Sequence, residues 1–538
     1  MKRFQLILPW TLVLLLAGWS AYGIWPVTPL EGDEQGVLFG VAGMLQHDAL
    51  LLQMRYTYEL QPGYYQLLVG LVRLTGLSPQ ALFALTTVVG AAGFALAGAR
   101  LLQLLLAWPL GWTLFAMLWC QEVTAAACYL NTSALAGCLA ICAVLLVWRP
   151  ERSAWGWAGV ILALAGWLRA DSLLVAPACL GVAFWREQRW KPALRQTAGI
   201  ASCSALLFLG LYALSGTSAL NSLRTYEERG FLLSGWRRFA ETIPQLLSPA
   251  LALAALAGLG LLFTPRRRLL GWVFVGGVTA SLLAHGTDLT TPKYFYYMVP
   301  FLLIPALALA DQLVRVSRAW NVAPRRAAVA GAVALLLTDS LLGLRTLTPA
   351  QRFFRAEPTL ASLAKLTWQG KSLALVLGLG ELIINADGFR VRTGQAFAPL
   401  VWHREKQRVQ ADLTMIRSWL AAGKPEQTFY WANWLPAQLA KRELLAQGYR
   451  PPERHSEDKA APAREDWRRE GQVVYLRYLG YAGTTYQPAG PAPASITGPD
   501  TYFIGDCANW PLTELADGRS WHLLSSVPEG LVTLYQRR

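Results

Sequence analysis

Runs of about 18 or more apolar residues recur through the first two thirds of the chain, each long enough to cross a hydrocarbon core of roughly 30 Å as a helix. Candidate spans fall at residues 4–24, 79–99, 108–128, 132–148, 154–167, 172–185, 194–214, 249–263, 269–285, 294–313 and 327–344. Few folds accept such a pattern, because in lipid the backbone must satisfy its own hydrogen bonds within helices or closed barrels. A hydrophobic fraction of 54% with only 15% charged residues agrees, being far from the usage of a soluble domain. The pattern predicts a mainly α, polytopic transmembrane bundle of about eleven spans.

The formal charge of +15 does not point to nucleic acid, because the basic residues sit in short clusters between apolar segments. Such clusters mark the cytoplasmic ends of spans. The opening residues 1–23 read as an uncleaved anchor, given the many spans that follow. Six of the seven cysteines fall inside apolar runs, where cysteine acts as a small hydrophobe. No Cys/His metal spacing occurs, so no metal ligand is assigned.

Topology turns on "GYYQLLVGLVRLTGL", residues 63–77. If it does not span, then "MKR", Arg100, "WRPER", "WREQRWK", "TPRRR" and "RVSRAWNVAPRR" all share the cytoplasmic side. It therefore reads as an interfacial helix at the outer face, with Arg73 snorkelling. The N-terminus is then cytoplasmic, and residues 25–62, 215–248 and 286–293 and everything after Arg345 are extracytoplasmic. Lack of a secretory disulfide pattern favours a bacterial inner membrane.

Two domains follow: residues 1–345, a catalytic bundle including the outer loop 25–78, and residues 346–538, an extracytoplasmic α/β domain. In the outer loop, Leu38, Val41, Ala42 and Leu45 keep the spacing of an amphipathic helix opened by Asp33. A carboxylate at that first turn is favoured by free amides and the helix dipole. The tail offers strands at 371–380, 427–434 and 471–480 and helices at 408–424 and 436–447.

The expected outer face gathers ionisable groups, which are costly near a bilayer unless paired, wet or useful. Asp33 and Glu34 stand in "LEGDEQGVLFG", Arg169 and Asp171 in "LRADS", His285, Asp288, Lys293 and Tyr294 in "HGTDLTTPKYFYYMVP", and Arg224 in the long loop. Carboxylates beside cations suit one chemistry: a base removes a hydroxyl proton while cations hold a phosphate leaving group. If that phosphate carries a long lipid, the site must lie at the water–membrane boundary. Each group also has a plainer role, with Arg169 and Asp171 simply pairing at a helix end and Tyr64 and Tyr65 marking the interfacial aromatic belt.

The order of these motifs resembles the GT-C glycosyltransferases, in particular the branch of protein O-mannosyltransferases and lipid A aminoarabinose transferases. The resemblance rests on the Asp33-Glu34 pair, on "QPGYY" (residues 61–65) in place of an "HPPLYY"-like segment, and on Lys293, Tyr294 and Pro300 at a late span. It covers about residues 1–345 and implies a polyprenyl-phosphate sugar donor, with Asp33 as general base, Glu34 as the neighbouring candidate, and inversion at the anomeric carbon. Lys293, Arg169, Asp171, Arg224, Tyr294, Tyr64 and Tyr65 become substrate-binding candidates. The acceptor is a glycan, lipid or protein; membrane lipids are partners and nucleic acid is not. No cofactor is assigned, although the family's chemistry leaves room for a divalent cation, Mg or Mn. Two departures stand out: Asn131 sits where relatives often carry a second acid, and Gln61 where they carry histidine. The competing function is a transporter or flippase for a lipid-linked or anionic glycan. It is disfavoured because the charges concentrate at span ends and no inverted repeat is visible.

Overall fold

The computed structural model describes residues 2–24, 32–47, 52, 57–127, 130–220, 243, 246–265, 267–284 and 292–317, with seven short strands between 367 and 537. These separate into two compact units: one holds residues 1–25, 56–347 and 390–402, the other 26–55, 348–389 and 403–538.

The first unit is a helical bundle. Its helices are α1 (Lys2–Ile24), α3 (Pro62–Thr75), α4 (Pro79–Leu106), α5 (Leu110–Trp119), α6 (Gln121–Ala126), α7 (Thr132–Val147), α8 (Arg152–Leu168), α9 (Ala176–Glu187), α10 (Trp190–Leu214), α11 (Pro249–Leu262), α12 (Arg268–Ala284) and α13 (Val299–Ser317). Of the described helices, α2 (Gly32–Gln46) belongs to the second unit. Among the described residues four helical stretches, Ile7–Ile24, Pro79–Leu106, Trp190–Leu214 and Phe295–Ser317, are long and apolar enough to cross a membrane. Large apolar side chains point outward from them, among them Trp10, Leu14, Leu85 and Leu206. So extended an apolar exterior needs lipid around it. The chain is a multi-pass membrane protein.

Each expected span from residue 4 to 313 coincides with helix, but several are jointed. The run 108–128 is two helices, α5 and α6, because Cys120 takes an extended backbone (ψ 123) that breaks the ladder. The run starting at 172 opens with a 3-10 turn, Ala170–Val175, before α9, and the one at 294 with a 3-10 segment, Pro292–Met298, before α13. Irregular backbone at such depth is tolerated where it is buried in protein. The second expected span, 79–99, runs on to Leu106, so Arg100 lies within α4 rather than past its end. The run 327–344 lies outside the described residues.

Helix α3 has 14 residues, about 20 Å at 1.5 Å per residue. It begins with Pro62 at its first turn and stops at Gly76, whose φ of +71 provides the left-handed turn that closes a helix. Its first half is buried in protein, while Arg73, Leu74 and Thr75 are exposed.

Neighbouring helices are drawn together by small residues. At Gly90 a side chain would meet the backbone nitrogen of Leu135 at 2.4 Å, so α4 and α7 lie nearly backbone to backbone. Gly258 likewise lets α11 reach the carbonyl of Pro305 in α13. Close approach of this kind is how helices associate without a hydrophobic driving force.

Side-chain hydrogen bonds show which ends lie together. Arg186 donates to the carbonyls of Val147 and Arg149 and to Gln196, and Arg267 donates to Ala308 and Asp311. At the opposite end Ser20 donates to the carbonyl of Ala127, and Tyr58 to that of Ser215 (2.8 Å). The helices therefore alternate in direction as the charge clusters require.

In the second unit, α2 departs from the one-sided pattern: Val37, Leu38, Phe39, Val41 and Ala42 are all buried, so residues 36–43 are enclosed on every face. The predicted amphipathic helix is present, but it is not amphipathic in its surroundings. Strands β1 (Thr367–Trp368) and β2 (Lys371–Ser372) pair antiparallel. Strands β3 (Phe429–Trp431), β4 (Thr485–Tyr486), β5 (Tyr502–Gly505), β6 (Trp521–Ser526) and β7 (Thr533–Arg537) form a mixed sheet in the order β4-β3-β5-β7-β6. Pairing is parallel about β3 and antiparallel about β7. Strands β2 and β3 fall on expected strands; the run 471–480 and both expected tail helices lie outside the described residues.

Candidate active site

The ends of α6, α7, α8 and α13 meet in a buried polar cluster. Its centre is Arg169, the residue that ends α8. There the backbone turns extended (φ −162, ψ 114) and the chain enters the 3-10 turn Ala170–Val175. This break brings Asp171 back beside Arg169, whose Nε donates to both carboxylate oxygens at 3.0 Å. The Nη1 of Arg169 donates to the Thr132 hydroxyl at the first turn of α7 (2.8 Å). From the opposite side Tyr297 donates its hydroxyl to Asp171 Oδ1 (3.0 Å). The side chains of Arg169 and Asp171 are only 9% and 1% exposed. A pair so far from water persists only when its remaining lone pairs and protons are hydrogen-bonded, and Thr132 and Tyr297 provide that.

Beside this chain stands Tyr296, fully buried and stacked on Phe94 with ring centroids 4.1 Å apart. Among the described residues its hydroxyl has no hydrogen-bond partner. Gly137 makes room for the aromatic group: a Cβ there would lie 3.1 Å from each of Phe94, Tyr296 and Tyr297. Glu122, in the short helix α6, is also buried at this end, where α6 packs against the Pro292–Met298 segment.

Lys293 and Tyr294 lie in the same 3-10 segment as Tyr296 and Tyr297. Asp33 and Glu34 occupy the first turn of α2 in the second unit. Arg224, His285 and Asp288 lie outside the described residues. Tyr64 and Tyr65, expected in an interfacial belt, are instead fully buried in the bundle. Tyr64 pairs its hydroxyl with Thr86 (2.7 Å) and Tyr65 with Thr57 (2.8 Å). Burial pushes the Tyr64 phenol well above its ordinary range, with the Thr86 hydrogen bond pulling weakly the other way, so it stays protonated.

Asn131 caps α7: its Oδ1 accepts from the Ser133 amide (2.8 Å) while its Nδ2 donates to the carbonyl of Ala126 (3.4 Å). The "NTS" sequence is therefore a helix start, with Asn131 as its cap. Among the described residues no three His, Cys, Asp or Glu side chains gather to hold a metal ion.

No protein-family model and no curated protein matches the sequence. Solved structures do. ArnT from Cupriavidus metallidurans bound to undecaprenyl phosphate superposes with a TM-score of 0.52 at 14% identity, over 99% of this chain and 97% of that one. The apo state of the same protein gives 0.52 at 16% identity with the same coverage. The chain has the ArnT fold. The mainly helical, polytopic bundle expected from the sequence is thus borne out as a fold.

Sequence reasoning singled out Arg169 and Asp171 but missed Thr132, Tyr296 and Tyr297. The available signal was the run "KYFYYM": three tyrosines in four positions at the head of a span exceed what a lipid-facing belt requires.

Proposed function

We propose that the chain is a glycosyltransferase that moves a sugar from a polyprenyl-phosphate donor to an acceptor hydroxyl at the outer face of a bacterial inner membrane. The observation that carries this reading is the full-length fold likeness to ArnT, a protein solved with undecaprenyl phosphate bound. It is supported by the Asp33-Glu34 pair at the start of α2 and by Lys293 and Tyr294 at the head of the last described helix.

In this mechanism the Asp33 carboxylate takes the proton of the acceptor hydroxyl as its oxygen attacks the anomeric carbon. The bond from that carbon to the phosphate oxygen breaks, its electron pair stays on the phosphate, and the configuration inverts. Lys293 offsets the negative charge that develops on the departing polyprenyl phosphate, as a point charge does for phosphate. Arg224 is the second cation of the set. Arg169 is not counted with them, because Asp171 already matches its charge inside the protein. Tyr294, Tyr64 and Tyr65 are the sugar-binding candidates of this reading, the last two held by hydrogen bonds to Thr86 and Thr57 inside the bundle. With the N-terminus cytoplasmic, the second unit is extracytoplasmic and available to the acceptor.

The test is to supply membranes containing the protein with labelled polyprenyl-phosphate sugars and follow release of the free lipid phosphate. Wild type turns over at least one donor and Asp33→Asn does not. Normal turnover by that variant removes Asp33 as base; failure of the wild type with every donor returns weight to transport.

A further inference from the structure

We propose that Thr132, Arg169, Asp171 and Tyr297 form a positioning chain that holds the 3-10 segment Pro292–Met298, and through it Lys293, in place for the leaving phosphate. The inference rests on the glycosyltransferase reading and adds to it residues that touch no substrate.

The chain crosses three elements. Thr132 anchors it in α7, Arg169 and Asp171 carry it through the break after α8, and Tyr297 attaches it to the segment that bears Lys293. In a 3-10 helix residues three apart are eclipsed, so fixing Tyr297 fixes Tyr294 one turn back and Lys293 beside it. The segment needs such an anchor, because 3-10 geometry gives poorer hydrogen bonds than an α-helix. A buried ion pair is also a poor stabiliser by itself, often replaceable by apolar residues at no loss. Its exchange of stability for a single fixed geometry is intelligible if that geometry is what the reaction uses. Arg169 acts here through others: its guanidinium is turned inward to Asp171 and Thr132 and is only 9% exposed.

The experiment is a cycle of Tyr297→Phe, Lys293→Ala and the double variant, read on release of labelled polyprenyl phosphate. Tyr297→Phe removes one hydroxyl and keeps the ring against Gly137 and Tyr296. It is expected to lower kcat about tenfold or more, as for loss of one hydrogen bond to a charged group, with a smaller change in donor KM. In the Lys293→Ala background the same change should cost almost nothing, since residues acting through one another are not additive. Thr132→Val should behave like Tyr297→Phe, and Thr132→Ser, which keeps the hydroxyl, should restore the rate.

A Tyr297→Phe enzyme with wild-type kcat, or two losses that simply multiply, overturns the positioning chain and leaves the proposed function standing. Should no donor be turned over, the cycle is read on thermal stabilisation by undecaprenyl phosphate, with the same non-additivity expected. Absence of both turnover and stabilisation in the wild type defeats the function and the inference with it.

Discussion

Removing Asp171 should destabilise the protein far more than removing the whole cluster. The Asp171 carboxylate accepts from Arg169 Nε at 3.0 Å and from the Tyr297 hydroxyl at 3.0 Å, and its side chain is 1% exposed. In Asp171→Ala the Arg169 cation stays buried without its counter-ion and the Tyr297 hydroxyl loses its acceptor. Breaking a buried pair from one side costs about 3–5 kcal/mol. Replacing the set together, as Arg169→Met with Asp171→Leu and Tyr297→Phe, removes the charge, the counter-charge and the orphaned donor at once. That combination should lie within about 1 kcal/mol of wild type or be more stable. The measurement is the midpoint of reversible denaturation in mild detergent, with tryptophan fluorescence as the probe. A cost below about 1 kcal/mol for Asp171→Ala would show that water or another anion reaches the Arg169 cation, contrary to its burial. A triple variant as unstable as the single one would refute the argument that the penalty is the uncompensated charge. The triple variant carries a second expectation: it should fold and yet release polyprenyl phosphate slowly, because stability and geometry are separable here.

Two further predictions concern the same end of the bundle. Gly137→Leu places a branched side chain where even a Cβ lies 3.1 Å from Phe94, Tyr296 and Tyr297, so overpacking should cost about 1–3 kcal/mol and lower kcat, checked by the same denaturation and release assays. Asn131→Ala removes the α7 cap and should cost about 0.5–2 kcal/mol, and mass spectrometry of the wild type expressed in a glycosylating host should find no sugar on this buried asparagine.

How much was legible beforehand varies from residue to residue, for physical reasons. A helix after Gln61 could be anticipated from its apolar run opened by Pro62, and the basic clusters beyond it are what set it apart from the spans. The break at Cys120 could not: nothing in "LFAMLWCQEVTAA" departs from apolar helix former until the backbone turns to carry Glu122 inward. Tyr64 and Tyr65 looked like belt residues because tyrosine at a span edge ordinarily faces the interface. They are buried because Thr86 and Thr57 offer their hydroxyls partners inside, as any buried phenol requires.

The sequence by itself determined that this is a polytopic bundle, and it set Arg169 and Asp171 at the same end as the segment that carries Tyr297. Hydropathy and flanking charge act on each segment separately, through its own transfer into lipid, and so can be summed along the chain. Only the tertiary structure decided which polar groups at that end meet. Asp171 and Tyr297 stand 126 residues apart, and Arg169 and Thr132 37. Their meeting depends on the close approach of helices and on two 3-10 breaks, which no local pattern encodes.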